Sequence, residues 1–192
     1  QITRNTSAFG WDLGGLRRRG QLDIYHVSPS ELNIDRHAYL MKERADSLGA
    51  RMVVIDSITA FQAAVPDLAR YQSYMWAIND YYKRNGVSVI LTTESPGVFG
   101  PLEVSAQNVS FVADNIIVLR FAEIGGEIKR ALGVLKMRGS EHDRHLRELI
   151  IDPPHIVLGK PLTQVGLLAA TGPQMCWAEA TAPPQPERER VC

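Results

Sequence analysis

The sequence lacks the features that mark secreted, membrane-spanning or nucleic-acid-binding proteins. It has only two cysteines, Cys176 and Cys192, both near the C-terminus, which excludes a disulfide framework and indicates a reducing, cytoplasmic environment. No apolar run approaches the roughly 20 residues of a membrane span, and no signal peptide opens the chain. Neither sign of charge is in excess, since 21 basic residues balance 21 acidic ones. Any anion site must therefore be local, and neither a membrane nor nucleic acid is expected as a partner.

The residues that are present suit one α/β domain, because the 192-residue chain is 45% hydrophobic and 22% charged. Hydrophobic periodicity predicts strands that alternate with helices, followed by a hairpin around Gly125-Gly126 and two short strands. The predicted strands are 22–27, 51–58, 87–94, 146–152 and 155–159, and the predicted helices are 35–49 and 66–86. This order predicts a mostly parallel sheet flanked by helices, with an antiparallel C-terminal edge. The continuous apolar run at 51–58 is typical of a strand buried on both faces.

Two predicted strands end in polar residues, and ligands of such sheets bind at the carboxyl ends of strands. Asp56 follows the apolar residues of "VVIDS", where a carboxylate can hold Mg²⁺ directly or through water. A capping or turn aspartate explains the same pattern equally well. Thr92, Thr93 and Glu94 end the strand "VILTTE", where they could contact a water or a γ-phosphate. Ordinary capping of the strand end is the alternative for these three residues.

A pair of cations ends the predicted hairpin, in the stretch "LGVLKMRGSEHDR". Lys136 and Arg138 are two residues apart, so a strand would direct both to the same face, about 7 Å apart. Arg can bind phosphate oxygens as a planar fork, and Lys can bind them as a point charge. Solvated surface cations are the alternative interpretation.

The order of these motifs resembles that of the KaiC-type ATPases of the RecA superfamily. The resemblance extends over residues 1–173 and includes "RNTSAFGWDL", "VVIDSITAF", "VADNIIVLRF", "RALGVLKMRGSEHDRHLREL" and "GLLAATGP". It implies a RecA-like fold, ATP with Mg²⁺ as cofactors, and a homohexameric ring that holds each nucleotide between neighbouring subunits. Lys136 and Arg138 then correspond to strand residues that reach the triphosphate of the adjacent subunit, in the manner of an arginine finger.

The resemblance also implies roles for residues around these two cations and around the strand ends. Asp56 corresponds to the acid of a Walker B motif and to a Mg²⁺ ligand. The further nucleotide-binding residues that the resemblance implies are Ser57, Thr92, Thr93, Glu94, Arg130, Ser140, His142 and Asp143. Ser110 lies where the clock protein of this family carries an adjacent Ser–Thr phosphorylation pair, but Phe111 occupies the second position here. A serine that begins a strand or turn is the alternative for Ser110.

One motif of the family is absent, because no "GxxxxGK[ST]" P-loop occurs in the 192 residues. In the family the P-loop and the paired catalytic glutamates precede the counterpart of Gln1. The chain is therefore expected to match the C-terminal two-thirds of one KaiC domain over 1–173, with a Pro-, Ala- and Glu-rich disordered tail at 174–192.

Three functions remain open from the sequence. The first is an ATP-binding and ATP-hydrolysing regulatory domain with clock or signalling partners and with serine autokinase activity. The second is a non-catalytic interaction module that keeps the ring interface. The third, a recombinase-like DNA-binding ATPase, is disfavoured because no basic stretch interleaved with aromatic residues is present.

Overall fold

The computed structural model describes residues 2–28, 31–65, 67–94 and 112–163. Ser110, the boundary expected at residue 173 and the tail expected at 174–192 lie outside these residues. The described elements, in chain order, are α1 (Ile2–Ser7), α2 (Leu13–Arg18), α3 (Ile34–Leu48), β1 (Met52–Ile55), α4 (Thr59–Ala64), α5 (Leu68–Arg84), β2 (Ser88–Leu91), β3 (Asn115–Ile124), β4 (Glu127–Met137), β5 (Arg147–Asp152) and β6 (His155–Pro161).

The two long helices begin and end on local capping signals. The Asn33 side chain accepts a hydrogen bond from the backbone N–H of Arg36 at the start of α3, and Asp67 does the same at the start of α5. Helix α3 ends at Gly49, whose φ of 60° is the left-handed conformation that favours glycine. Both helices therefore lie where the sequence predicts them.

The described strands form two separate sheets. Strands β1 and β2 are parallel, and β3, β4, β5 and β6 form an antiparallel sheet in that order. Gly125 and Gly126 connect β3 to β4 with φ angles of 60° and 82°, as a tight hairpin turn requires. The α/β class, the parallel sheet and the antiparallel hairpin predicted from the sequence are confirmed.

The strand predicted at 22–27 is wrong, because residues 22–28 contain no strand. Side-chain contacts with α3, and not backbone hydrogen bonds to a neighbouring strand, hold this segment. Asp23 accepts a 2.5 Å hydrogen bond from Arg44, whose guanidinium also lies over the Tyr25 ring. The Tyr25 ring stacks on His37 at a centroid distance of 5.3 Å.

The core lies between the parallel sheet and its helices. Its most buried side chains are Ile58, Tyr71, Met75, Ile78 and Tyr82. The helices cover only one face of the sheet within the described residues, so Met52 and Val54 of β1 are both 57% exposed. The prediction that this strand is buried on both faces is therefore wrong for the part of the chain that the structure describes.

The antiparallel sheet also has one covered and one exposed face. Ala122 and Ala131 are buried on the covered face. Ile117, Leu119 and Phe121 of β3 are exposed on the other, and β3 alternates between the two faces as a half-buried strand should.

Candidate functional site

Asp56 and Thr92 meet at the carboxyl end of the parallel sheet. Ile55 pairs with Leu91 in the register, so the next residue of each strand leaves the sheet at the same edge. The Thr92 hydroxyl donates a 2.5 Å hydrogen bond to Asp56 Oδ1, and the Thr92 N–H donates to the carbonyl of Ile55 at 3.0 Å. The Thr92 carbonyl accepts from the N–H of Ile58 at 3.0 Å. These bonds fix the carboxylate at the end of β1.

The Asp56 carboxylate does not cap the helix that follows it. Helix α4 has its N-cap at Ile58 and no side-chain capping hydrogen bond, whereas Asp56 is exposed and bonded to Thr92. Its neighbours Ser57 and Thr92 add two partly buried hydroxyl groups. Carboxylate and hydroxyl oxygens are hard donors of the kind that Mg²⁺ prefers, so the side chains at this edge fit a Mg²⁺ site.

The other strand-end candidates lie beside this pair. Thr93 and Glu94 are exposed and continue the chain beyond Thr92. The backbone N–H of Glu94 donates a 3.4 Å hydrogen bond to the Thr59 hydroxyl in the first turn of α4. The structure therefore brings Asp56, Thr92, Thr93 and Glu94 to one edge, as the sequence predicts for parallel strands.

A β-bulge determines where Lys136 and Arg138 lie. Ile116 pairs with Lys136 but Ile117 pairs with Val134, so Leu135 is an extra residue in β4. An extra residue shifts the alternation of faces by one position. Lys136 and Arg138 are therefore on the sheet face opposite to the one they would occupy in an unbroken ladder.

Both cations contact the segment that leads into β3. Lys136 Nζ donates to the carbonyl of Ala113 at 2.8 Å, and Arg138 Nη1 pairs with Asp114 Oδ1 at 2.9 Å. The second oxygen of Asp114 accepts from Lys83 Nζ at 3.0 Å, at the C-terminal end of α5. The hydrogen bond from Lys83, with the charges of Lys83, Arg138 and Lys136, lowers the pKa of Asp114. The segment directly before β3 thus contacts three cations, Lys83, Lys136 and Arg138.

The loop after β4 is organised by Asp143. Its carboxylate accepts from the backbone N–H of His145 at 3.0 Å and from Arg147 Nε at 2.8 Å, and it lies 2.7 Å from His145 Nδ1. The hydrogen bonds from His145 and Arg147 lower the pKa of Asp143. Ser140 is exposed and His142 is partly buried in the same loop.

Arg130 lies far along the hairpin from Lys136 and Arg138. It lies opposite Phe121 in the hairpin, roughly 27 Å along the chain from Arg138 at about 3.4 Å per residue. Its assignment to the nucleotide stays a prediction. The sequence analysis also missed Lys83 and Asp114, although the acid of "VADNIIVLR" directly before a strand was a visible signal for Asp114.

Comparison with known proteins gives a consistent set of relatives. The family model described as "ATPase: KaiC" matches residues 1–163. The chain is 31% identical over 172 residues to the circadian clock protein KaiC3 of Synechocystis, covering 89% of this chain and 34% of that protein. It is 30% identical over 151 residues to the circadian clock oscillator protein KaiC of Thermostichus vulcanus, covering 79% of this chain and 29% of that protein.

A solved structure of a KaiC-like protein from Pyrococcus horikoshii OT3 has a similar fold. It matches with a TM-score of 0.70 and 27% identity, covering 83% of this chain and 69% of that chain. The chain spans about a third of the length of the curated relatives it matches. In the part of the chain that the structure describes, no helix combines the length and apolarity needed to cross a membrane.

Proposed function

This chain belongs to the KaiC family of ATPases, and from that premise we propose that it binds ATP with Mg²⁺ between subunits of a hexameric, cytoplasmic ring. In this proposal Asp56, as the Walker B acid, and Thr92 serve the nucleotide held by their own subunit. Lys136 and Arg138 serve the nucleotide of the neighbouring subunit. The finding that carries the proposal is the gathering of Lys83, Lys136 and Arg138 around Ala113 and Asp114, directly before β3.

Each side of this arrangement has a defined chemical task. The Asp56 carboxylate would help to hold Mg²⁺, which when bound would neutralise charge on the nucleotide phosphates. Arg138 and Lys136 donate N–H groups toward the γ-phosphoryl oxygens, where negative charge is redistributed during transfer to water. In this proposal Ser140, His142 and the loop organised by Asp143, which follow Arg138 in the chain, also contact that nucleotide.

Replacement of Arg138 in the full-length protein tests the proposal. Arg138→Ala should lower ATP turnover by about 10³-fold, as expected for loss of an arginine finger. Arg70→Ala is the matched control, because Arg70, like Arg138, pairs with one aspartate. The two side chains are also similarly exposed, at 64% for Arg70 and 61% for Arg138. Turnover of the control should stay close to that of the unmodified protein.

Mixing of two inactive variants tests whether Arg138 acts on the neighbouring subunit. Arg138→Ala subunits combined with subunits disabled in a P-loop elsewhere in the full-length protein should recover part of the activity, since each supplies what the other lacks. Unchanged turnover in Arg138→Ala, without complementation, would contradict the action across the interface. A ring without any turnover would favour the non-catalytic interaction module instead.

Serine autokinase activity belongs to the same proposal and rests on the position of Ser110 in the sequence. Incubation of the full-length protein with Mg-ATP should place phosphate on Ser110 and on neither Thr92 nor Thr93, because Thr92 is engaged with Asp56 at the strand end. Phosphopeptide mapping of the whole chain measures this, and no modification within residues 101–120 would leave Ser110 as a serine that begins a strand or turn. A clock or signalling protein is the partner class that we propose for the ring.

A further inference from the structure

We propose that Asp114 is a positioning residue that orients Arg138 for the neighbouring nucleotide and connects it, through Lys83, to helix α5. This inference rests on the proposed function, because it concerns the group that is assigned to act across the interface. Asp114 pairs with residues of two separate elements, because Lys83 belongs to α5 and Arg138 follows β4. The ion pairs at 3.0 Å and 2.9 Å use different carboxylate oxygens, so both form at once.

The contact with Asp114 engages only one nitrogen of the Arg138 guanidinium. Asp114 engages Nη1 of the guanidinium, and the Arg138 backbone N–H donates to the Asp114 carbonyl at 3.0 Å. A guanidinium has five N–H donors in a fixed plane. One ion pair therefore restrains the position of the guanidinium, while donors on the other nitrogens can bind phosphate oxygens.

Lys83 changes what Asp114 does electrostatically. A lone carboxylate beside Arg138 would neutralise the cation and compete with phosphate for it. Lys83 neutralises the second carboxylate oxygen, so the three-residue bridge keeps a positive charge. The Asn79 amide, one turn earlier on α5, also donates to the carbonyl of Val112 at 3.4 Å. Helix α5 thus holds the segment before β3 at two points.

The bridge formed by Lys83, Asp114 and Arg138 connects α5 physically to Arg138, the cation that we propose acts on the neighbouring subunit. Helix α5 packs against β2, and Thr92, which bonds Asp56, directly follows β2. A shift of α5 would move Asp114 and with it Arg138. The bridge is solvent-accessible, with side-chain exposures of 63%, 41% and 61% for Lys83, Asp114 and Arg138, so its contribution to stability is small and its main effect is on orientation.

The test uses the full-length protein and separates kcat from KM. Asp114→Asn keeps the shape of the side chain but removes its charge, and it should lower kcat for ATP by about 10- to 100-fold, the effect of misplacing a reacting group, with little change in KM. Asp114→Glu should restore part of the loss. Lys83→Met should lower kcat in the same direction, and its control is Arg84→Met, which removes the adjacent cation paired with Asp80 at 2.9 Å.

A double variant distinguishes positioning from a general loss of structure. Asp114→Asn should have no further effect on turnover in an Arg138→Ala background, because the residue acts through Arg138. Loss of turnover in Arg138→Ala but not in Asp114→Asn would overturn the positioning role alone. Full turnover in both variants would overturn the proposed function and this inference with it. If Asp114→Asn lowered turnover by the same factor with and without Arg138, the positioning role would also be overturned. Circular dichroism and measurement of ring size in every variant identify misfolding.

Discussion

Two neighbouring tyrosines on α5 show how burial and pairing affect stability at the scale of single residues. The Tyr82 side chain is buried, and its hydroxyl has no hydrogen-bond partner among the described residues. Tyr82→Phe should therefore leave the free energy of unfolding unchanged or raise it by about 1 kcal/mol, since an unpaired buried hydroxyl is costly. Tyr81→Phe should lower it, because the Tyr81 hydroxyl donates a 2.6 Å hydrogen bond to Asp46. Urea unfolding of both variants checks this, and destabilisation by Tyr82→Phe would show that its hydroxyl has a partner.

The same tyrosine predicts a change of stability in alkali. Burial, with the nearby groups Tyr81 and Asp46, raises the pKa of Tyr82 from 10.0 to about 12. The folded state thus holds this proton more tightly than the unfolded state. The stabilisation that Tyr82 contributes through its raised pKa is fully present below pH 10 and is lost as the pH rises through about 12. The difference in unfolding free energy between the unmodified protein and Tyr82→Phe, measured from pH 9 to pH 12, should change in this window. A constant difference would contradict the raised pKa.

At the scale of elements, the bulge in β4 controls the placement of both cations. Insertion of one alanine between Ile116 and Ile117 would give Leu135 a partner, restore an unbroken ladder and transfer Lys136 and Arg138 to the opposite face of the sheet. ATP turnover of the full-length protein should then fall about as far as in Arg138→Ala, roughly 10³-fold, although every functional side chain is still present. Leu135→Ala keeps the extra residue and should retain most of the turnover. Equal turnover in the insertion variant and the unmodified protein would show that the bulge does not determine the site.

The elements also show where sequence reasoning succeeds and where it cannot. Local signals were sufficient for α3, α5 and the hairpin, because caps and the Gly125-Gly126 turn act within a few residues. The prediction of a strand at 22–27 was wrong, since alternation of apolar and polar residues does not reveal whether a partner strand exists. Helices α1 and α2 are only six residues long, too short for periodicity to identify.

Only part of the candidate site, likewise, could be predicted from the sequence. The meeting of Asp56 and Thr92 was predictable, because parallel strands bring their carboxyl ends to one edge. The bulge at Leu135 was not, since the pairing register depends on both strands together. The contact of Lys83 with Asp114 joins residues 31 positions apart, and no local pattern identifies a pair so distant.

At the scale of the whole molecule, the two sheets each leave an apolar face exposed within the described residues. Met52, Val54 and Ile90 line one such face, and Ile117 and Leu119 belong to the other, each at least 47% exposed. Contiguous exposed apolar surface of this kind favours association, and the free edges of short sheets add to it. The 192 residues expressed alone should therefore be poorly soluble, and size-exclusion chromatography should show aggregates unless other segments of the full-length protein cover these faces.

Nucleotide binding by the 192 residues alone should be weak for a related reason. The sequence contains no "GxxxxGK[ST]" segment, so it has neither the backbone cradle for the α- and β-phosphates nor the lysine that reaches the β- and γ-phosphates. Asp56 by itself should hold Mg²⁺ only weakly, and under the proposed function Arg138 meets a nucleotide only when a neighbour supplies one. Isothermal titration with Mg-ATP should give a Kd no tighter than about 1 mM, equivalent to about −4 kcal/mol. Asp56→Asn and Arg138→Ala should leave this weak binding unchanged. Micromolar binding would reveal a phosphate site within the 192 residues, and its loss in either variant would locate that site.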